Sequence, residues 1–592
     1  MTASPAAFEE ALQNASVLLV SDPAASLELA EKLVAQQPDA RAFRLAAAAL
    51  RALQRHEEAE QAELQGISVG FSEPLRRARS AQRSRRSSEA NTIAQDYLRS
   101  NPGDLLAMTI AAEAAVGLNH ANDAEPMLRQ VVDRAPAFPP ASMLLASVLA
   151  GQLRLREAAE LLEQLLRRVP QEISAKRFLA DLRAQMNDPT GAALLYDQIL
   201  AAEPGNPADQ FKYAQFLRAA GRKGESVAAL RRMIALSPMS GNAWWTLAHY
   251  FPEELTEQDE AQIRAGLEAG ALGHSDRGFL QLAVSILDNR RGNRQAAVEA
   301  ITSAQVLLSA GTSYDPASLT RHVDELIHAY TPGLFERLGS RGSNSDSPIF
   351  IVGMPRSGST LLERILGQHS QVEAVGELPV IPRLVASGQA DGTPAYRSLL
   401  PHSLTGDKLA EMANWYLERS NQYRHTDKPH FTDKYNGNWI RAGLIRLMFP
   451  KAKILDIRRN ALDCCWAVFR SVLVGDYAHD QHSLGRYYAD YVRLMDAMAA
   501  ASPSHILTVR YEEIVADVES QTRHILDFLG LDFDPTCVDF HRSTAPVSTA
   551  SSEQVRRPIN SESVGSAEPY RRWLQPLIQE LNLALGSPGA QA

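Results

Sequence analysis

The chain has 592 residues, about four times the ~150 of a common domain, so two or more structural units are expected. Hydrophobic residues make up 45%, aromatic residues 7% and charged residues 22%, a globular composition that excludes disordered, collagenous and coiled-coil chains. Lys and Arg number 60 against 69 Asp and Glu; the net charge of −9 argues against coating a nucleic acid and makes any anion site a local one. Three cysteines, Cys464, Cys465 and Cys537, are too few and wrongly spaced for a disulfide framework or a zinc site, which points to a reducing compartment and to no metal. The first residues place Glu9 and Glu10 ahead of a short apolar run and carry no basic segment, so they do not read as a secretory signal. No uninterrupted apolar stretch reaches the ~18 residues that span a bilayer, and the expected location is the cytoplasm.

In chain order, the first half is punctuated by Pro102, Pro136, Pro170, Pro204 and Pro238, each 34 residues after the last (136 − 102 = 34). Each follows an apolar helical run such as AAELLEQLLRRVP, where the fixed φ and missing N–H end a helix. Twelve residues before three of these prolines lie Ala124, Ala158 and Ala192, with Ser226 in the same place in the last unit, small residues where two helices approach closely. Period, proline and small positions resemble tetratricopeptide repeats, helix pairs stacked into a solenoid. An earlier helix end at Pro38 implies one irregular repeat near the N-terminus, and NAWWTLAHY and AAVEAITSAQVLLSA stay helical but lose the period, as a capping end does. The all-α solenoid is expected over 1–335. The run holding Arg76, Arg77, Arg79, Arg83, Arg85 and Arg86 reads as a solvated helix face, with binding of an anionic partner as the alternative.

Residues 336–347 form a Gly/Ser/Asn/Asp-rich linker, and the pattern then changes to short apolar runs, IFIV, KILDI and ILTVR, alternating with helices. That alternation predicts a parallel sheet covered on both faces over 348–585, an α/β domain behind the all-α one.

The segment PIFIVGMPRSGSTLLERIL runs from a buried strand through Gly353-Met354-Pro355-Arg356-Ser357-Gly358-Ser359-Thr360 into a helix, an arrangement that turns backbone N–H groups toward a phosphate. Its glycine and hydroxyl spacing follows the nucleotide loop G-x-x-x-x-G-K-[ST], but Ser359 stands where that motif has Lys and the basic residue is Arg356 inside the loop. This suits triphosphate chemistry poorly and suits charge neutralisation on a departing phosphate oxygen.

The loop resembles that of sulfotransferases that use 3′-phosphoadenosine-5′-phosphosulfate, P-[KR]-S-G-[ST]-T. The resemblance implies a P-loop-like fold and a donor held by Pro355, Arg356, Ser357, Gly358, Ser359 and Thr360. It places Arg459, at the end of KILDIRR, on the 3′-phosphate; eight residues on, where the family has Ser, this chain has Ala467, with Arg470 one turn further. GELPVIPR resembles the tyrosylprotein branch of the family, which makes Glu377 the base, its carboxyl buried beside Val375 and Leu378. TDKYNGNW makes Lys434 the lysine on the leaving-group side, and VSTASSEQVRRPI makes Ser551 and Arg557 phosphate contacts, with Arg556 beside them ahead of Pro558. VRYEEIVAD reads as a strand-to-helix junction, and His541 and His482 as structural.

The resemblance therefore implies sulfuryl transfer to an acceptor hydroxyl, with protein tyrosine, sugar and small-molecule acceptors all open, and Arg356, Glu377 and Lys434 in the catalytic roles. No metal enters this scheme. The solenoid is expected to hold a peptide or protein partner. Two rivals are weighed: a phosphoryl-transfer enzyme on the same loop, against which stand Ser359 and a strand end offering only Asp456 for Mg²⁺, and a repeat scaffold with an inactive nucleotide domain, for which Ala467 is the motive.

Overall fold

The prolines that punctuate the first half each lie two residues beyond a helix end in the computed structural model of the chain, which describes residues 5–268, 272–387, 404–472, 475–543 and 558–585. The helices end at Ser100, Arg134, Arg168, Ala202 and Leu236, and the next ones begin at Leu105, Pro139, Ile173, Pro207 and Gly241, so both boundaries keep the 34-residue step (139 − 105 = 34). Ala124, Ala158, Ala192 and Ser226 are all buried, and the Ser226 hydroxyl donates to the Ala214 carbonyl of the neighbouring helix at 2.8 Å. A second periodic feature carries only a partial residue signature: Arg85, Asn119, Leu153, Asn187 and Gly221, again 34 apart, all adopt positive φ at the turn inside each helix pair. Only the last is glycine, the residue for which that region carries no steric cost. The basic run falls on the helix Glu73–Arg83, which buries Leu75, Ala78 and Ala81 and leaves Arg76, Arg77 and Arg83 in solvent.

Beyond Pro238 the helices Gly241–Tyr250, Glu257–Glu268, His274–Arg290, Arg294–Leu308 and Pro316–Ala329 follow. The chain divides into two compact units, Met1–Arg183 and Ala184–Ala592, so the helices from Pro189 onward share a unit with the sheet. We propose 1–335, 336–347 and 348–585 as divisions by type of structure; the packed units follow the other division.

Five parallel strands form the sheet: β1 (Pro348–Gly353), β2 (Val372–Glu373), β3 (His430–Asp433), β4 (Lys453–Arg458) and β5 (Ile506–Arg510), in the order β2-β3-β1-β4-β5. Every residue of β1 is buried, as a strand covered on both faces requires. Ile349 and Ile351 join a core with Leu362, Ile365, Leu455, Ile525 and Leu526, while Phe350, between them, turns to the other face and packs on Tyr416 and Phe449. β2 and β3 are additions to the strands expected from sequence: two and four residues are too few to show an alternation, and pairing with β1 is what makes them strands.

Candidate active site

Three elements meet where β1 and β4 end. β1 gives way to the loop 354–358 and the helix Ser359–Leu366. Gly353 has φ 153°, and a Cβ there would lie 2.6 Å from the Ile457 carbonyl oxygen of β4. Gly358 has φ 104°, and a Cβ there would lie 2.5 Å from the Tyr511 ring. Both glycines are thus demanded by backbone and packing together. Between them Arg356 adopts φ 68°, a left-handed conformation unusual for a residue with a side chain. Burial, with repulsion from Arg470 and Arg459, pushes the Arg356 guanidinium down to about 10, so it keeps its charge at neutral pH.

At the end of β4 the two arginines part. Arg458 pairs with Asp456 and Asp496, each at 2.7 Å, and Asp456 also accepts from the Tyr491 hydroxyl. Arg459 turns toward the loop, donating to the Arg356 carbonyl at 3.3 Å, to Ser566 Oγ at 3.1 Å and to the Ser563 carbonyl. Its buried Nε has no hydrogen-bond partner among the described residues. Asn460 then caps the helix Ala461–Phe469 by accepting from the Asp463 N–H at 3.1 Å. Asp456, the carboxylate weighed for Mg²⁺, is committed to Arg458 and Tyr491. Among the described residues no group of three His, Cys, Asp or Glu side chains is arranged to hold a metal ion.

The third element joins β2 to its neighbours. Lys434, directly after β3, is fully buried and its Nζ donates to Glu377 Oε1 at 2.6 Å. The Glu377 side chain is 52% exposed, which corrects the expectation of a carboxyl buried among apolar neighbours: Val375 and Leu378 are buried, but Glu377 points out between them onto the lysine. A further acid, Glu363, positions this turn. Fully buried on the helix after the loop, it accepts from the Gly376 N–H and from Thr432 Oγ1, each at 2.8 Å. Burial raises its pKa against the pull of Lys434. Nothing in the spacing of TLLERIL distinguishes Glu363 from a surface helix residue.

Beside Lys434, Asp433 is fully buried and accepts from the Tyr416 hydroxyl at 3.0 Å; burial pushes it up to about 7. A carboxyl raised above its unfolded value near 3.9 holds its proton in the fold, so its contribution is present below pH ~4 and is lost as pH rises through 7. Asp433→Asn is therefore expected to flatten the stability curve between pH 4 and 8, removing up to about 4 kcal/mol of pH dependence. Denaturant unfolding of both proteins across that range checks it, and parallel curves would contradict it.

Pro355, Arg356, Gly358, Ser359, Thr360, Glu377 and Arg459 all line one cavity of about 650 Å³, with Ala467 and Arg470 in its wall. Lys434 lies behind Glu377, and Ser357 is turned inward, its buried Oγ unpartnered among the described residues. Ser551, Arg556 and Arg557 lie outside the described residues. VRYEEIVAD is the junction of β5 with the helix Tyr511–Ala516, and it does more than join them: Tyr511 closes on Gly358, and Glu512 Oε1 accepts from the Asn460 N–H at 2.8 Å. His482 is engaged with Glu580 at 2.7 Å. Sequence reasoning passed over His249 and Tyr250, at the end of the helix Gly241–Tyr250, which line the same cavity. Their chain position ahead of the sheet gave no signal.

A parallel sheet whose first strand ends in a glycine loop faces a cavity lined by Arg356, Arg459 and Arg470, an arrangement suited to an anion. Residues 348–535 match the model of the sulfotransferase family, and residues 111–173, 145–207 and 179–240 match that of the tetratricopeptide repeat. It is 30% identical over 314 residues to an uncharacterized protein of Aquifex aeolicus (strain VF5), covering 49% of this chain and 40% of that one. It is 27% identical over 236 residues to protein-tyrosine sulfotransferase A of Caenorhabditis elegans, covering 38% of this chain and 62% of that one. The chain thus spans less than two thirds of either relative. Among solved structures, the sulfotransferase domain of the curacin biosynthetic pathway aligns with 39% of this chain and 99% of its own at 16% identity and a TM-score of 0.25. No helix among the described residues is long and apolar enough to cross a membrane.

Proposed function

We propose that this protein is a sulfotransferase that moves the sulfuryl group of 3′-phosphoadenosine-5′-phosphosulfate to an acceptor hydroxyl. The observation that carries the reading is the convergence of Arg356 and Glu377 on one cavity, with Lys434 2.6 Å behind Glu377. The cavity volume falls in the ordinary range for a ligand of nucleotide size. The residues present fit an anionic nucleotide: the loop supplies N–H groups and two hydroxyls, Ser359 and Thr360, and the buried Arg459 keeps one N–H without a partner among the described residues. The donor supplies an activated sulfur whose leaving group is a phosphate. Glu377, paired with Lys434 at 2.6 Å, accepts the proton of the attacking hydroxyl. The new O–S bond forms as the old one breaks, and Arg356 and Lys434 neutralise the charge that returns to the leaving phosphate oxygen. The products are a sulfate ester and adenosine 3′,5′-bisphosphate.

The resemblance to protein-tyrosine sulfotransferases favours a peptide hydroxyl as acceptor, and the repeats suit a peptide or protein partner. We read the location as cytoplasmic on the three buried, unpaired cysteines. Calorimetric titration of adenosine 3′,5′-bisphosphate, and separately of ATP with Mg²⁺, tests the reading: a clear preference for the bisphosphate supports it. Preference for ATP with Mg²⁺ favours phosphoryl transfer, and binding of neither favours the scaffold. Ala467→Ser, which restores a hydroxyl in the cavity wall, is expected to tighten bisphosphate binding about five- to tenfold, the effect of one neutral donor on a phosphate. Unchanged affinity would place the 3′-phosphate elsewhere.

A further inference from the structure

The basic end of the cavity is closed by a residue from outside the α/β sheet domain. His249, in the last turn of the helix Gly241–Tyr250, lines the cavity together with Arg356, Ala467 and Arg470. Its ring is held on both sides: it stacks on Trp245 with centroids 4.9 Å apart and an interplanar angle of 17°, and it meets Tyr250 edge-on at 4.7 Å. Tyr250, also in the wall, is itself covered by the Arg218 guanidinium 4.1 Å from its centroid. An imidazole fixed in this way has its orientation set before any ligand arrives, so it makes a hydrogen bond without losing rotamer freedom.

We propose that His249 is a binding residue of the nucleotide site, donating from its ring to a phosphate of the donor and taking the place of the hydroxyl absent at Ala467. This rests on the sulfuryl-transfer reading and extends it: the helical segment ahead of the sheet is part of the site. The charged groups facing His249 are Arg356 from the loop, Arg470 from the end of the helix Ala461–Phe469 and Arg218 from the helix Pro207–Ala219. Glu253 lines the same cavity, paired with Lys223. Burial and the three guanidiniums push His249 down to about 3, so before binding it is a neutral ring with one N–H to donate. A bound dianion offsets the guanidiniums and raises the ring's pKa, while burial still favours the neutral form. Nucleotide binding then carries proton uptake beyond what the ligand's own phosphates contribute, growing as pH falls.

The test is calorimetry of adenosine 3′,5′-bisphosphate at pH 6.5 in buffers of different ionisation enthalpy, on the full chain and two variants. His249→Phe keeps a ring against Trp245 and removes the donor; its affinity is expected to fall about five- to twentyfold. His249→Asn keeps a donor and removes the titration; it is expected to bind within about threefold of wild type while losing the extra proton uptake. Thermal melts identify a variant that has lost its fold, in which case the other variant decides. Both variants matching wild type in affinity and in proton uptake would overturn the assignment of His249 and leave the sulfuryl-transfer reading standing. Failure of the wild type to bind the bisphosphate would overturn both.

Discussion

Arg356→Ala is expected to lower sulfuryl transfer by about 10²- to 10³-fold and to weaken adenosine 3′,5′-bisphosphate binding, the larger loss falling on turnover. The expectation follows from where the guanidinium stands. It is held over the cavity by a loop whose two flanking glycines cannot take a side chain without collision with Ile457 and Tyr511. It is half-buried near Arg459 and Arg470, so three cations share one end of the cavity. Charge that builds on a leaving oxygen there gains more from Arg356 than the bound ground state does, and that difference is what raises a rate. Arg356→Lys is expected to recover only part of the loss, because a flexible ammonium does not reproduce a planar fork held at positive φ. Steady-state rates with labelled donor and a phenol acceptor, beside calorimetric affinities, check both. A variant with normal turnover would remove Arg356 from the chemistry.

Glu377→Gln is expected to cut turnover by about 10²- to 10⁴-fold, the range for removal of a positioned general base, while bisphosphate affinity changes less than threefold. The carboxylate is exposed enough to reach an acceptor and is tied to Lys434 by a 2.6 Å contact, so an amide keeps the shape of the contact and loses the proton acceptor. The same substitution leaves a buried lysine facing a neutral group, with Glu363 and Asp433 as nearby acids. A small fall in the thermal midpoint is therefore expected alongside the kinetic loss. Lys434→Met separates the two effects: it keeps Glu377 and removes the cation, and its loss of turnover is expected together with weaker bisphosphate binding. Equal losses of affinity in both variants, with turnover at saturation unchanged, would show the pair to be a binding element.

The 34-residue proline period was legible because a helix end has a chemical requirement, the missing N–H and fixed φ, that recurs wherever the backbone geometry does. The positive-φ turn inside each helix pair recurs just as strictly and was harder to see: Asn119, Asn187 and Gly221 suit that region, but Arg85 and Leu153 do not, and packing of the pair holds them there. In the second half the glycine loop was readable for the same reason as the prolines: Gly353 and Gly358 stand where a Cβ has no room. Residue types and spacing by themselves thus determined the helical repeats, the parallel sheet behind them and the loop that opens the site. Tertiary structure decided the rest. Pairing made strands of β2 and β3; a lysine buried behind an exposed glutamate set the character of Glu377; and Glu363, Tyr511 and His249 entered the site through contacts between segments far apart in the chain. Local pattern records what the backbone needs within a turn or a strand, whereas the charge, burial and partners of a side chain are properties of what folds against it.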